Sequence, residues 1–253
     1  MAELEKLAPL SLSQKMIEKG SYDNSGIIVD NNTPVRKVLF SLDLSLLAVE
    51  KAVEFGCDTI LTHHPAIYMP IKNLSENGIT KPLIRAIKAG LNVISMHLNL
   101  DVATSGIDEC LAAGLGATDS KIIELVTEKQ GYGREFNVKS VDISDYVDGI
   151  KEQFKSDKII CYGKGTVNRV ASFCGSGGDS ALSGVVSGLS IDTIITSDLA
   201  HHVLKELIES GKKVIIIPHY VSEQFGFNKF SNLVEKTLNG KVQTFYFEDK
   251  RFM

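Results

Sequence analysis

The chain has no tryptophan, only six prolines, six histidines and four cysteines, in 253 residues. Each scarcity excludes something. Cys57, Cys110, Cys161 and Cys174 are far apart and form no Cys-x-x-Cys pair. Neither a disulfide framework nor a thiolate zinc site is expected from them; buried thiols in a reducing cytoplasm are. No apolar run reaches the ~18 residues of a membrane span. The first residues, with Glu3 and Glu5, lack the basic start and apolar core of a signal peptide, so a cytoplasmic location is expected. Positive charge is not in excess either: the net charge is -4 and the pI near 5.9. That balance argues against general DNA binding, which draws on a basic surface. No segment is of low complexity, and no internal repeat stands out. With 43% hydrophobic and 23% charged residues, the chain has the composition of a globular protein of one large or two modest domains.

What is present is a set of apolar runs that end in polar, chemically capable residues. Asp58–Leu61 leads into Thr62-His63-His64-Pro65. Val93–Met96 leads to His97 and Asp101, Ile194–Asp198 to His201 and His202, and Val214–Pro218 to His219 and Glu223. All six histidines follow such runs. In open α/β sheets the carboxyl ends of strands are where ligands bind. Imidazole and carboxylate together suit zinc, manganese, iron, nickel or cobalt, and do not point to calcium. Adjacent side chains on a strand face opposite ways, but Pro65 cannot continue a central strand. A turn there directs His63 and His64 to one side. The spacings His97-x-x-x-Asp101 and His219-x-x-x-Glu223 are one helical turn, which groups each pair if helical. Five or six ligands exceed what one zinc with an open position needs. Two ions are expected, ~3.5–4 Å apart, able to generate a hydroxide nucleophile near neutral pH. His201 and His202 fall early in a helix, where their rings diverge by ~100°. One of them is a candidate acid–base or substrate-binding group, against the plain reading of a polar surface pair.

Taken in order, residues 1–20 read as one amphipathic helix with Leu10, Leu12, Met16 and Ile17 inward. Tyr22-Asp23-Asn24-Ser25-Gly26 is a turn cluster before the strand-like Ile27-Ile28-Val29. Val38–Asp43 reads as a buried strand ending in an acid, and Ser45 as the cap of the next helix. A helix over 80–89, a strand over 91–96 and a helix from Gly106 to Leu115 continue the alternation. Strands alternating with such helices argue for βαβ units and a largely parallel sheet. From residue 118 the texture changes: strand 121–127, a glycine-rich turn at Gly131-Tyr132-Gly133-Arg134, strand 135–141, helix 144–154, and strands 158–162 and 169–174. This order suggests a smaller α+β segment, 128–167, inserted in a main metal-binding α/β domain formed by 1–127 and 168–253. Cys174-Gly175-Ser176-Gly177-Gly178-Asp179 leads into a helix over 180–188. Such a turn can cradle an anion on its N–H groups, and a tight strand-to-helix connection explains it equally well. A helix over 222–238 and a strand over 242–247 close the chain.

These motifs, in this order, resemble the Nif-three-like dinuclear metal family, the type-2 homologues of GTP cyclohydrolase I. The resemblance runs from about residue 20 to 247 and rests on Tyr22–Gly26, Thr62–Pro65, His97–Asp101, Gly131–Arg134, Cys174–Gly178, His201-His202 and His219–Glu223. It implies an α/β protein with two related lobes assembled as a toroidal homohexamer, with two divalent ions per subunit facing an inner cavity. On the family's pattern the metal ligands are His63, His64, Asp101, His219 and Glu223, with His97 close by. It implies a metal-dependent hydrolase of GTP cyclohydrolase type, in which a hydroxide attacks C8 of guanine and His97, His201 or His202 moves protons. Asp23, Asn24, Gly175, Ser176 and Gly177 are then candidates for binding a nucleotide or pterin-like substrate. Two rival readings stand beside it: a non-catalytic regulatory metal protein with protein partners, as described for some family members, and a phosphoesterase on the same metal pair. The chain departs from the family's pattern at Tyr22 (more usually Trp), at Ser197-Asp198 (Gly-Glu in many members) and at Pro218 (usually Gly).

Overall fold

The apolar runs fold as short strands, and the helices between them cover the sheet faces. The computed structural model describes residues 1–177 and 188–253. The expected helix over 180–188 falls, apart from Gly188, outside the described residues, as do Gly178 and Asp179. Among the described residues the chain is a mixed α/β protein with two sheets and nine helices. It divides into two compact units, residues 1–103 with 227–250, and residues 104–226 with 251–253.

The sheet of the first unit holds β1 (Gly26–Val29), β2 (Lys37–Ser41), β3 (Thr59–Thr62), β4 (Asn92–Ser95) and β11 (Gln243–Phe247), in the order β1-β4-β3-β2-β11. All pairings are parallel except that of the edge strand β1. Helix α3 (Leu46–Glu54) begins where Ser45 predicts, with Ser45 Oγ accepting the Ala48 N–H at 3.1 Å. Leu39, Ile60 and Val93 from the three central strands are buried against Ala48, Val49 and Ala52 of α3 and Ala86 of α4 (Lys81–Lys88). Alanines on the helix faces allow close approach, and burying each large side chain contributes ~1.5–3 kcal/mol. The single helix expected over 1–20 is two, α1 (Ala2–Leu7) and α2 (Leu10–Glu18). Pro9 has no N–H for a continuing helix and is tolerated at the start of a new one. Leu12 points inward as expected, whereas Ile17 is exposed.

The second unit carries β5 (Lys121–Leu125), β6 (Gly131–Asp142), β7 (Ile160–Tyr162), β8 (Thr166–Ser172), β9 (Thr193–Thr196) and β10 (Lys213–Ile216), ordered β5-β6-β8-β9-β10-β7. Only β8–β9 and β9–β10 pair in parallel, so this sheet is mixed. Residues 128–167, read as an inserted segment, supply β6, α7 (Ile143–Phe154) and β7 to it. The glycine-rich Gly131–Arg134 is not the turn but the start of β6. The turn lies just before it, where the Val126 and Thr127 N–H groups reach Gln130 O at 2.8 and 3.0 Å. Strand pairing explains the glycine at 131: a Cβ there would stand 2.1 Å from Glu124 O across the ladder. Helices α6 (Ile107–Gly114) and α8 (His201–Glu209) also belong to this unit. In its core Ala171, Ile194 and Val214 meet Val203 and Leu207 of α8. Helix α9 runs His219–Leu238; residues 219–226 count with the second unit and 227–238 with the first.

The two units share a local hydrogen-bonding pattern, in keeping with the related lobes that the resemblance implies. In the first unit Asp58 Oδ2 accepts the N–H groups of Arg36 (2.7 Å) and Lys37 (2.9 Å), and Thr59 Oγ1 donates to Asp58 Oδ1 (2.9 Å). In the second, Asp192 Oδ2 accepts those of Asn168 (3.1 Å) and Arg169 (2.9 Å), and Thr193 Oγ1 donates to Asp192 Oδ1 (2.6 Å). Parallel strands β2-β3-β4 and β8-β9-β10 therefore start from the same aspartate-pinned frame. In each unit the third strand leads to a histidine with a carboxylate four residues on.

Candidate metal centre

In the first unit β3 stops at Thr62, and the next two N–H groups, of His63 and His64, both turn to Leu42 O at 3.1 and 3.0 Å. Strand alternation ends there, so both rings face one side, their centroids 4.9 Å apart. His97, leaving β4, brings its ring to 5.2 Å from that of His63 and 5.8 Å from that of His64. One ring nitrogen from each of the three lies within 4.8 Å of the others. The short helix α5 (Leu98–Asp101) returns the Asp101 N–H to His97 O at 3.0 Å. It sets Asp101 Oδ1 3.4 Å from His63 Nε2, both side chains buried.

Each imidazole is held from behind through Nδ1. His63 Nδ1 lies 2.8 Å from Met96 O. A carbonyl only accepts, so Nδ1 carries the proton and Nε2 is the ligating nitrogen. His64 Nδ1 meets Asp43 Oδ1 at 2.6 Å, and His97 Nδ1 meets Asp23 Oδ1 at 2.7 Å. Asp23 also accepts from Ser13 Oγ and from Ser25 Oγ (2.6 Å). Burial alone would raise this carboxyl, but the hydrogen bonds from His97, Ser13 and Ser25 outweigh it and hold the group at about 2. Asn24 Nδ2 donates to Ile67 O at 2.6 Å. The side chains of Asp23 and Asn24 thus bind parts of the first unit itself, one behind a histidine and one in the loop after His64-Pro65.

The second unit repeats the arrangement at the start of α9. Glu223 follows His219 by four positions, and His219 Nε2 lies 3.1 Å from Glu223 Oε1. Behind the ring, Nδ1 meets Asp198 Oδ2 at 2.5 Å. Asp198 stands just past the end of β9, in a place comparable to that of His64 after β3. The glycine turn closes on the same pair. Gly175 has φ +56°, and a Cβ there would be 2.3 Å from Glu223 Oε1 and 3.3 Å from His219 Nε2. Ser222 Oγ holds the turn in place: it accepts from Gly175 N (3.2 Å) and Ser197 Oγ (3.1 Å) and donates to His219 O (2.8 Å). The preceding N–H, of Cys174, goes to the buried Asp108 (3.1 Å), which also pairs with buried Arg134 at 3.0 Å. Gly177 is a packing position, where a Cβ would lie 2.3 Å from Phe173 Cβ, and Ser176 is exposed.

The donors are neutral-imidazole nitrogen and carboxylate oxygen, with ring tautomers set by hydrogen bonds. That chemistry fits a divalent transition ion or zinc, and no thiolate contributes. His63, His64, His97 and Asp101 form one such set; His219 and Glu223 form another. His201 and His202 are exposed on the first turn of α8, and among the described residues no metal-type cluster includes them. Sequence reasoning passed over Asp43 and Asp198 as supports for histidine rings. Their signal is position: each is an acid at the end of a buried strand. Ser222 and Met96 O carry no such signal, because only the fold brings them to the site.

A family model described as Duf34/NIF3 (NGG1p interacting factor 3) matches residues 1–251. A GTP cyclohydrolase 1 type 2 homolog of Lactococcus lactis is 29% identical over 231 residues, which cover 89% of this chain and 86% of that protein. NGG1-interacting factor 3 of Saccharomyces cerevisiae is 28% identical over 242 residues, 83% of this chain and 82% of its own length. In fold, the crystal structure of a Staphylococcus aureus hypothetical protein matches with a TM-score of 0.87 at 23% identity, covering 98% of this chain and 95% of that one.

Proposed function

The chain belongs to the Duf34/NIF3 family, and from that premise we propose that it is a dinuclear metal-dependent hydrolase acting on a nucleotide or pterin-like heterocycle. His63, His64, Asp101, His219 and Glu223 are the ligands in this reading. The observation that carries it is the shared build of the histidines: Nδ1 is held by Met96 O, Asp43 or Asp198, and Nε2 of His63 and of His219 is set beside a carboxylate. Anchoring of this kind is what a ligating imidazole needs, because it fixes the tautomer and the direction of Nε2. Divalent ions held there would supply Lewis acidity and the means to ionise water near neutral pH. His97, with Nδ1 on Asp23, exchanges a proton with the substrate at Nε2. Asp23 stays ionised throughout the working pH range and keeps that ring in one orientation. The name of the Lactococcus lactis relative supports a purine-type substrate.

The test is incubation of the metal-loaded chain with GTP, following formate release and loss of guanine absorbance. Turnover is expected, falling roughly 10²–10⁴-fold in His97→Ala with metal content retained. Absence of turnover with GTP and with reduced pterins, in protein that holds its metal, supports the regulatory reading instead, which the name of the yeast relative favours. For phosphate-ester hydrolysis, the Cys174 and Gly175 N–H groups of the glycine turn are committed to Asp108 and Ser222 and do not serve as an anion cradle.

A further inference from the structure

Two tyrosines in the first unit stand beside the histidine cluster without being covered. Tyr22 and Tyr68 are 44% and 46% exposed, although aromatic rings of this size are ordinarily drawn into a core. They meet edge to face, with centroids 5.1 Å apart at 77°, so the rings form the two sides of a corner. The Tyr68 hydroxyl donates to Tyr22 O at 3.3 Å. The second edge of the corner borders the chemistry: the Tyr68 ring stands 6.0 Å from that of His97 at 86°. Both tyrosines are on loops that are braced. Asn24 Nδ2 ties the Tyr22 loop to Ile67 O, next to Tyr68, at 2.6 Å, and Pro65 and Pro70 flank the Tyr68 segment.

We propose that Tyr22 and Tyr68 form an aromatic corner on which a planar heteroaromatic ring stacks beside the His63–His64–His97 cluster. A braced tyrosine presents a large flat face at little entropic cost, since few torsions remain to be fixed. Base–aromatic stacking is tolerant of ring identity but demands a flat π-face, so the corner selects for planarity, while His97, which is not among the ligands, is left for the polar edge. The inference rests on the metal-centre reading and adds to it the residues that recognise the ring.

The test is calorimetric titration of the zinc-loaded full chain with GTP and, separately, with inorganic triphosphate, which has no ring. Zinc content is measured on the same samples. Tyr68→Ala is expected to weaken GTP binding on the order of 10-fold, within the range of one base–aromatic stack. Its triphosphate affinity and zinc content should stay at wild-type values, and Tyr68→Phe should bind GTP as the wild type does. Because the chain has no tryptophan, tyrosine emission provides a second readout, quenched by GTP and not by triphosphate. Wild-type GTP affinity in Tyr68→Ala, or no GTP binding by zinc-loaded wild type, overturns the proposal. A change of assembly state in Tyr68→Ala with GTP affinity unchanged also overturns it and assigns the tyrosines to a subunit contact. Wild type that takes up no zinc refutes the metal-centre reading separately, and titration of that metal-free chain with GTP still decides the stacking.

Discussion

Replacing Gly175 by alanine should separate metal binding from folding. The backbone at 175 has φ +56°, a left-handed conformation that costs an L-residue with a Cβ roughly 1–2 kcal/mol. The added carbon would begin 2.3 Å from Glu223 Oε1, and ordinary contact starts at 3.4 Å, so the carboxylate has to retreat by 3.4 − 2.3, or 1.1 Å. Glu223 Oε1 is the far end of a flexible side chain, so the retreat itself adds little to the folding cost. A ligand position, by contrast, tolerates only about ±0.2 Å. The metal-free variant should therefore melt roughly 2–8 °C below wild type, from ~2–4 °C per kcal/mol for a chain of this size. Its affinity for zinc should fall about 10–100-fold, the usual penalty for disturbing what holds a ligand. Competition with a chromogenic chelator reads the affinity, and a thermal melt of the chelated protein reads the stability. Gly211→Ala is the control: φ is +80° and nothing lies within 4 Å of its Cβ, so stability should drop comparably with zinc affinity unchanged. Wild-type zinc affinity in Gly175→Ala would refute the reasoning.

Asp198→Asn removes the charge behind His219 Nδ1 and should cost about 10–100-fold in zinc affinity, read by the same chelator competition; an unchanged value contradicts the supporting role. Asp108→Ala leaves the buried Arg134 guanidinium only Gly131 O, Gly133 O and the Glu109 carboxylate at 3.8 Å and should destabilise by about 3–5 kcal/mol in urea unfolding, while a loss under ~1 kcal/mol would mean that these remaining partners suffice for it. The acid limb of stability should depend on Asp192. Burial opposes ionisation there, but Thr193, the Arg169 N–H and Lys213 together hold the carboxyl below its usual value. Stability from a depressed carboxyl is present above its unfolded pKa of about 4 and lost as pH falls below it. The urea midpoint of wild type should fall between pH 6 and pH 3 more steeply than that of Asp192→Asn, and equal slopes would exclude the contribution.

Much of the site was legible before the structure because its parts are local. His63-His64-Pro65 announces a strand that stops, and the observed turn onto Leu42 O is how both rings come to share a side. One-turn spacing pairs His219 with Glu223 through an ordinary helix. The supports were less legible. Asp23 looks like a ligand-facing loop residue, and only the 74-residue separation closed by its bond to His97 reveals its role. The internal repeat was readable in principle as Asp58-Thr59-Ile60-Leu61-Thr62 against Asp192-Thr193-Ile194-Ile195-Thr196. Divergence of the residues that follow, His63-His64 in one and Ser197-Asp198 in the other, hides it. Gly131–Arg134 misled because glycine marks both turns and places of close strand approach; the clash of a Cβ with Glu124 O is invisible without the pairing register.

Metal content is the most direct measurement of the central claim. The chain should be purified without added metal or affinity chelation, beside His64→Ala and Glu223→Ala, and analysed by inductively coupled plasma mass spectrometry. Two first-row divalent ions per chain, depleted in both variants, are the predicted result. Protein that remains metal-free after incubation with zinc, manganese and iron would contradict it, and the anchored histidines would then need another explanation.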